Sequence, residues 1–272
     1  MIDEIIFLLE NAEIELRKYK IINYLNNHNI TSQEIYKWLL NNQNNSNSVF
    51  LLGIFNHFGI EINVDKQKAF ELYQIAANSE NVSGIVSLGY CYEKGIGTSI
   101  DNQKSFELCQ KAANLGNVRG ICNLGYCYQN GIGTSIDKQK AFELYQKAAN
   151  LGNTLGICNL GYCYDNGIGT NVDKQKAFEL YQKAANLENA HGICSLGYCY
   201  EKGIGTIDKQ KAFELYQKAA NLGHSEAQYN FAVMYENGDG VKKDINQAIH
   251  WYTKSAKQGF QHAQNKLNKL IN

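Results

Sequence analysis

The sequence predicts an all-α protein, a right-handed α/α superhelical solenoid of about six helix-turn-helix repeats of 35–36 residues. An octamer, Lys-Gln-Lys-Ala-Phe-Glu-Leu-Tyr, occurs at 66–73, 138–145, 174–181 and 209–216. An altered copy at 102–109 brings the successive spacings to 36, 36, 36 and 35 residues. A pentamer, Leu-Gly-Tyr-Cys-Tyr, runs in step with the octamer and begins at Leu88, Leu124, Leu160 and Leu196. Such a fixed period is typical of stacked units, none of which can bury its apolar face alone.

The first 45 residues lack the repeat and are predicted to form an N-terminal helical segment. One or two amphipathic helices are indicated by spaced apolar residues: Ile5, Leu8, Leu9, Leu16, Ile21, Ile22 and Leu25. The tetrapeptide at 31–34, Thr-Ser-Gln-Glu, is a capping box, which predicts a short helix through Leu40. The Asn-rich stretch 41–47 is typical of a flexible linker. We expect the segment 1–45 to cap the solenoid or, alternatively, to dock a partner.

Residues 117–152 show how one repeat is built. Residues 120–128 are apolar on nearly every side, which suits a first helix packed between neighbours. The glycines in 130–133 can adopt the left-handed conformation that ends a helix. Asp137 is the expected N-cap of a second helix, 138–150. The apolar stripe of this second helix has helical spacing: Ala141, Leu144, Tyr145, Ala148 and Ala149.

Six such units begin near residues 47, 82, 118, 154, 190 and 225, so the repeats are predicted to fill 46–259. Residues 260–272 begin a seventh first helix and then stop. Because this helix is polar on one side, it is expected to be a C-terminal capping helix. The repeat count predicts roughly 13–16 helices and no sheet.

The charge and composition of the chain argue against nucleic-acid and membrane partners. Its 272 residues carry 26 Lys and Arg against 26 Asp and Glu, so no net positive charge attracts a polyanion. No run approaches the ~18 apolar residues of a membrane span, and the start of the chain is acidic where a secretory signal is basic.

Cysteines such as Cys122 and Cys127 lie five residues apart on one predicted helix, a poor spacing for a disulfide or a shared metal. We interpret the eight cysteines as buried apolar residues of a protein in a reducing compartment, and we predict a cytoplasmic location.

No catalytic or cofactor motif is recognisable in the sequence. The six histidines are scattered, and no Gly-x-x-x-x-Gly-Lys-Ser/Thr sequence occurs. Gly-Ile-Gly-Thr recurs in four units, which indicates a turn of the repeat and not a dinucleotide site. We therefore predict that the protein is not an enzyme and that it needs no cofactor or metal.

The repeat pattern resembles the Sel-1-like repeat, a relative of the tetratricopeptide repeat. Residues 225–259 match it best, through small, aromatic and turn positions: Ala227, Phe231, Ala232, Tyr235, Gly238, Gly240, Asp244, Ala248, Trp251, Tyr252, Ala256 and Gly259. The resemblance covers about residues 47–272. The first unit departs from the pattern at Asn56 and Glu61, and two units close on Glu80 and Glu188 in place of glycine.

The resemblance implies that the first helices line a concave groove where a partner protein binds. The side chains expected to bind it are Tyr90, Tyr126, Tyr162, Tyr198, Asn123, Asn159, Asn230 and Tyr229. Beside them the resemblance places a cysteine row (Val86, Cys122, Cys158 and Cys194) and an acidic rim (Glu93, Gln129, Asp165, Glu201 and Glu236). Arg119 and Leu155, at one variable position, also belong to the predicted groove. Tyrosines supply rigid contact area and amides can satisfy a bound backbone, although the tyrosines could instead pack between neighbouring helices.

The same resemblance implies a non-catalytic scaffold or adaptor for protein–protein interaction, since the family is associated with assembling complexes in signalling and protein quality control. Two alternatives stay open. One is a regulatory module of a signalling enzyme such as a protein kinase, and the other is a hydrolase with an unrecognised site. The expected partner is another protein, not a nucleic acid or a membrane.

Overall fold

The computed structural model describes residues 1–10 and 17–271. All the regular secondary structure in these residues is α-helical. The sixteen helices in the described residues are α1 (Ile2–Glu10), α2 (Arg17–Asn27), α3 (Ser32–Asn41), α4 (Ser46–Phe58), α5 (Lys66–Asn78), α6 (Val82–Lys94), α7 (Asn102–Asn114), α8 (Val118–Asn130), α9 (Lys138–Asn150), α10 (Thr154–Asn166), α11 (Lys174–Asn186), α12 (Ala190–Lys202), α13 (Lys209–Asn221), α14 (Ser225–Asn237), α15 (Ile245–Lys257) and α16 (Gln261–Ile271). Leu16, which we expected in an amphipathic helix, lies outside the described residues.

The chain divides into two compact units, Met1–Gly156 and Ile157–Asn272. In the first unit, the helices from α4 to α9 pack successively, α4 on α5 through to α8 on α9, and α1 and α3 both contact α4. In the second unit, the helices from α11 to α16 pack in the same successive manner. Successive packing of short helices is the arrangement of a repeat solenoid. The predicted all-α solenoid is therefore confirmed.

An aspartate opens the second helix of each repeat. Its side chain accepts a hydrogen bond from the backbone amide three residues later, which satisfies a donor that the first turn of a helix leaves unpaired. Asp137, the predicted N-cap, accepts from the amide of Lys140 at 2.9 Å. The same cap recurs at Asp65, Asp101, Asp173, Asp208 and Asp244. The period of the capping aspartate thus sets where the second helices begin.

Close contacts between helices explain why the pentamer and the octamer recur in step. A Cβ atom at Gly125 would lie 3.0 Å from Cε1 of Tyr145, whose side chain is fully buried in the second helix. The ring of Phe106 in one repeat meets the ring of Tyr128 in the next edge-on, with 5.5 Å between centroids. The glycine therefore belongs to the contact within a repeat, and the Phe–Tyr pair belongs to the contact between repeats.

The turn that closes a repeat needs a left-handed residue. Gly152 has a φ of 82°, and nothing lies within 4 Å of the position that its Cβ would take. In the next repeat Glu188 stands at the equivalent position with a φ of 58°. An L-residue in this region costs about 1–2 kcal/mol. The repeat that closes on glutamate therefore carries backbone strain that its neighbour lacks.

The N-terminal segment is helical where the capping box predicted it, but its linker is shorter than expected. Oγ1 of Thr31 accepts from the amide of Glu34, and the Glu34 carboxylate accepts from the amide of Thr31, so α3 begins as predicted. The prediction of a linker over 41–47 is wrong in its last part. The side chain of Asn45 accepts from the amides of residues 47 and 48, which starts α4 at Ser46. An asparagine taken as a sign of flexibility is therefore a helix cap.

Candidate functional site

The Leu-Gly-Tyr motif sets the direction of the first-helix tyrosines. Because Gly125 faces the second helix, the residue after it is rotated about 100° around the helix axis and points away from that contact. In the first unit Tyr126 is 39% exposed, and Tyr90 is half-buried. In the second unit Tyr162 and Tyr198 are 46% and 43% exposed. Packing between neighbouring helices does not account for the solvent-exposed part of the Tyr126, Tyr162 and Tyr198 side chains.

The predicted asparagines lie beside the tyrosines, three residues earlier on the first helices where both are present. Asn123, Asn159 and Asn230 are all half-buried. In the second unit, the amide of Asn230 donates a weak hydrogen bond to Sγ of Cys194 at 3.9 Å. Tyr229 is half-buried among aromatic rings, with 5.4 Å between its centroid and that of Phe260. Each unit thus presents tyrosine and asparagine side chains on one helix face, while Tyr229 is held by its neighbours.

The cysteine row is buried, which confirms the interpretation of the cysteines as buried residues and shows that the prediction of a row lining the groove is wrong. Its four side chains, Val86, Cys122, Cys158 and Cys194, are at most 6% exposed. The reason is visible in the second unit, where Asn230 of α14 reaches Cys194 of α12, which places the cysteine between adjacent first helices. Burial raises the pKa of the Cys194 thiol well above its usual range, which keeps the thiol protonated and unreactive.

In the second unit, carboxylates of the acidic rim accept hydrogen bonds from the buried tyrosines of the second helices. The Tyr216 hydroxyl donates to the Glu201 carboxylate at 2.9 Å, and the Tyr252 hydroxyl donates to Glu236 at 2.6 Å. Burial raises the pKa of the Tyr216 phenol well above its usual range, and the nearby Cys194 and Glu201 add to the effect. The phenol therefore stays protonated and fixes the Glu201 carboxylate, one helical turn after the exposed Tyr198.

The N-terminal helix covers part of the first-helix surface of the first unit. Ile5 and Leu9 of α1 are each 1% exposed. The carboxylate of Asp3 accepts from Asn47 of α4 at 2.7 Å, and the carbonyl oxygen of Leu9 accepts from Arg119 of α8 at 3.2 Å. Arg119, expected at the open groove, is therefore buried beneath α1. Sequence reasoning missed this contact because its two partners lie 110 residues apart and no local motif joins them.

An exposed aliphatic residue precedes the capping aspartate in most repeats, and sequence reasoning missed this feature too. In the first unit Ile100 and Ile136 are 65% and 62% exposed. In the second unit Val172 and Ile207 are 58% and 70% exposed. The sequence did carry a signal for this feature: an apolar residue recurs inside a turn, where burial is not expected. These turns form a second repeated apolar feature, distinct from the first-helix tyrosines.

The described part of the chain has neither a metal-binding cluster nor a membrane-spanning helix. Residues 1–10 and 17–271 hold no group of three or more His, Cys, Asp or Glu side chains placed to bind a metal ion. No helix in these same ranges has both the length and the apolar character to cross a membrane. All eight cysteines are buried free thiols, and burial raises the pKa of Cys91, Cys163 and Cys199 to about 12.

The repeats match a known family model. The Sel1 repeat occurs six times, at residues 46–81, 83–117, 118–153, 154–189, 190–224 and 225–260. The chain belongs to the Sel1-repeat family. The resemblance to the Sel-1-like repeat, which covers about residues 47–272, is confirmed. Proteins with Sel1 repeats are generally protein-interaction scaffolds.

Solved Sel1-repeat structures share the fold of this chain. A Sel1 repeat protein from Oxalobacter formigenes is 25% identical with a TM-score of 0.68, over 90% of this chain and 97% of that one. A protective antigen of uropathogenic Escherichia coli with an SLR fold is 32% identical with a TM-score of 0.54, over 94% of this chain but 56% of the antigen. The Sel1-repeat chain thus spans just over half of that antigen's length. A sel1 repeat protein from Klebsiella pneumoniae, 24% identical with a TM-score of 0.53 over 75% of this chain and 99% of that one, shows the fold alone. A comparison with curated proteins gave no match.

Proposed function

We propose that this Sel1-repeat chain is a non-catalytic scaffold or adaptor that binds another protein through the exposed tyrosines of its first helices. The observation that carries the proposal is the 46% and 43% exposure of Tyr162 and Tyr198, at the same position of two successive first helices. An aromatic side chain held open on a rigid element offers contact area at a low cost in conformational entropy. Membership of a family of interaction scaffolds supports the same class of function.

The proposed contact set keeps every residue that the sequence nominated: Tyr90, Tyr126 and Asn123 in the first unit, and Tyr162, Tyr198, Asn159, Asn230 and Tyr229 in the second. The asparagine amides can donate to and accept from the backbone of a bound segment. The zero net charge favours a protein partner over a nucleic acid or an anionic membrane. The eight buried free thiols favour a reducing, cytoplasmic setting.

Affinity capture with paired variants tests this function. The full chain serves as bait in three forms: native, Tyr162→Ala with Tyr198→Ala, and Val172→Ala with Ile207→Ala. The third form is a matched control, because it also removes exposed apolar surface from the second unit. A protein that the native and control baits retain, and that the tyrosine variant loses, supports the proposal. Equal capture by the native and tyrosine-variant baits would refute it.

A further inference from the structure

The helix α1 is held at both ends by side chains of the repeat stack in the first unit. Near its start, Asp3 accepts from Asn47 in the first repeat, at 2.7 Å. In its last turn, the carbonyl oxygen of Leu9 accepts from the guanidinium of Arg119 in the third repeat, at 3.2 Å. The last carbonyl groups of a helix lack partners within the helix and carry a partial negative charge, so a cation stabilises them. The two contacts therefore recognise a helix by an acidic first turn and by its C-terminal carbonyl groups.

Between these two contacts lies a small cavity. Ile6 and Leu9 of α1 share it with Phe50 of α4, Val86 of α6 and Arg119 of α8, and the polar residues Arg17, Ser83 and Asn117 complete its lining. Phe50 and Val86 are 1% and 5% exposed, and together with α1 they belong to one hydrophobic cluster. The first helices of three successive repeats thus build one seat, which α1 fills with aliphatic side chains.

The residues that hold α1 are not part of the repeat pattern. The third residue of the first helix is glycine in the second to fifth repeats, beginning with Gly84. The residue just before this position differs in every repeat. That variable position holds Asn47, Ser83, Arg119, Leu155, His191 and Glu226 in order along the chain. The repeat pattern therefore does not require Asn47 or Arg119 at this position, although Asn47 also accepts a hydrogen bond from Asn81, the N-cap of α6.

The opposite side of α1 is largely exposed, although Glu4 there accepts a hydrogen bond from the hydroxyl of Tyr24 in α2. Phe7 and Leu8 are 67% and 37% exposed, whereas Ile5 and Leu9 are each 1% exposed. The helix therefore binds the seat with one face only, and its buried pair is spaced four residues apart, one turn along the helix. This is the pattern by which an amphipathic helix docks in a groove.

We propose that this seat is a helix-binding site, and that α1 is its intrachain occupant, which a partner helix of the same chemistry displaces. The partner segment has an acidic residue in its first turn and aliphatic residues four positions apart. This inference rests on the proposed scaffold function, which supplies the partner protein. It adds a second contact region, the surface beneath α1, to the first-helix tyrosines and asparagines.

Binding of a synthetic α1 peptide to the full chain tests the proposal. The probe is a fluorescein-labelled peptide with the sequence of residues 1–10, followed by fluorescence anisotropy. The native chain binds it weakly, because its own tethered helix competes at an effective concentration on the order of millimolar. The variant Ile5→Asp with Leu9→Asp, whose own helix no longer fits the seat, binds the peptide at least tenfold more tightly. Phe7→Asp, altered on the open face of the same helix, binds it like the native chain.

The seat itself is tested by adding Arg119→Ala to the released variant, which lowers its affinity for the peptide severalfold. Equal peptide affinity in the native and released chains would overturn the proposal, as would an equal gain in Phe7→Asp. Circular dichroism confirms that the variants keep their helicity. Because the assay needs no natural partner and leaves Tyr162 and Tyr198 unchanged, it fails or succeeds independently of the tyrosine proposal.

Hydrogen exchange on the native chain keeps the proposal testable if the released variant does not fold. Unlabelled peptide is added at millimolar concentration, and the amides of α1 in the chain are followed by mass spectrometry. We expect α1 to lose protection while α8 and α9 keep theirs, because the peptide takes the seat. Unchanged protection of α1 would contradict displacement.

Discussion

Arg119 in α8 donates a hydrogen bond to the carbonyl oxygen of Leu9 in α1, over 3.2 Å and across 110 residues of sequence. The bond ties a helix that precedes the repeats to the third repeat of the stack. Its donor is buried, at 7% exposure, and the acceptor residue is 1% exposed. It also gives a reason for one difference between neighbouring repeats, since the position of Arg119 holds Leu155 in the next repeat.

Replacing Arg119 by alanine is expected to lower the free energy of unfolding by about 1.5–3 kcal/mol, because the change leaves a buried carbonyl group without its charged donor. Urea denaturation, followed by circular dichroism, measures the difference. Lys138→Ala is the control, since Lys138 is exposed and such changes usually stay within about 0.5 kcal/mol. Equal midpoints for the two variants would show that the Arg119 contact contributes little to stability.

The repeat architecture could be predicted because its signals are local and recur. Asp137 caps a helix through an amide three residues away, so one repeat is enough to recognise the cap and six copies confirm it. The outward direction of the first-helix tyrosines was likewise predictable. The glycine before each one shows which side of the helix packs against the second helix, and the tyrosine lies away from that side.

The seat of α1 could not be predicted in this way, and the sequence alone could not decide between the two predictions made for the cysteine row, burial and a place in the groove. Ile5 and Leu9 show that α1 is amphipathic, but nothing near them in the sequence indicates Arg119. Cys122 lies next to Asn123 on the helix, and a rotation of about 100° separates a buried side chain from a half-buried one. Such a difference depends on how adjacent helices cross, which the spacing of residues does not encode.

The closing turns of two neighbouring repeats predict a reciprocal pair of stability changes. Glu188→Gly should stabilise the chain by about 1 kcal/mol, because glycine adopts positive φ without the strain of an L-residue. Gly152→Glu should destabilise it by a similar amount, since a φ of 82° suits glycine and no neighbour lies within 4 Å to compensate. Thermal melts of the two variants and the native chain check the signs. Shifts of the same sign would mean that a side-chain effect outweighs the backbone effect at one of the two sites.

His224 makes the stability of the second unit depend on pH. Its Nδ1 accepts from the amide of Ala227 at 3.2 Å and so caps α14. Burial lowers the pKa of His224 to about 3, and the ring of His191, 4.2 Å away between centroids, adds to this effect. The unfolded chain takes up this proton near the usual histidine pKa of about 6.5. The stabilisation of the folded chain by neutral His224 is therefore complete above pH 6.5, and it is lost as the pH falls from 6.5 toward 3.

The variant His224→Asn tests this pH dependence with a residue that the repeat itself uses, since Asn81, Asn117 and Asn189 cap other first helices. Between pH 7 and pH 5 the native chain should lose about 2 kcal/mol more stability than the variant does. Urea denaturation at the two pH values gives the difference. His57, whose pKa burial lowers to about 4 with help from Arg17 and Lys66, titrates in both chains and cancels in the comparison. Parallel losses in both chains would rule out a contribution from His224.

The last prediction concerns the affinity of the chain for a protein that the native bait captures. Aromatic hot spots typically cost about 2 kcal/mol or more each when they are cut to alanine. Tyr162→Ala with Tyr198→Ala should therefore weaken binding roughly a thousandfold, at about 1.4 kcal/mol for each factor of ten. Isothermal titration calorimetry with the purified partner measures the change.

The control for this prediction is the fold itself, because a tyrosine that packs between helices would also reduce affinity, through loss of structure. Both side chains are more than two-fifths exposed, so we expect the double variant to keep its helicity and its melting temperature. Lost affinity in a folded variant assigns binding to the tyrosines. Unchanged affinity would instead direct attention to the exposed turn residues Val172 and Ile207 or to residues 1–45. Lost helicity would mean that the tyrosines stabilise the repeats by packing between helices.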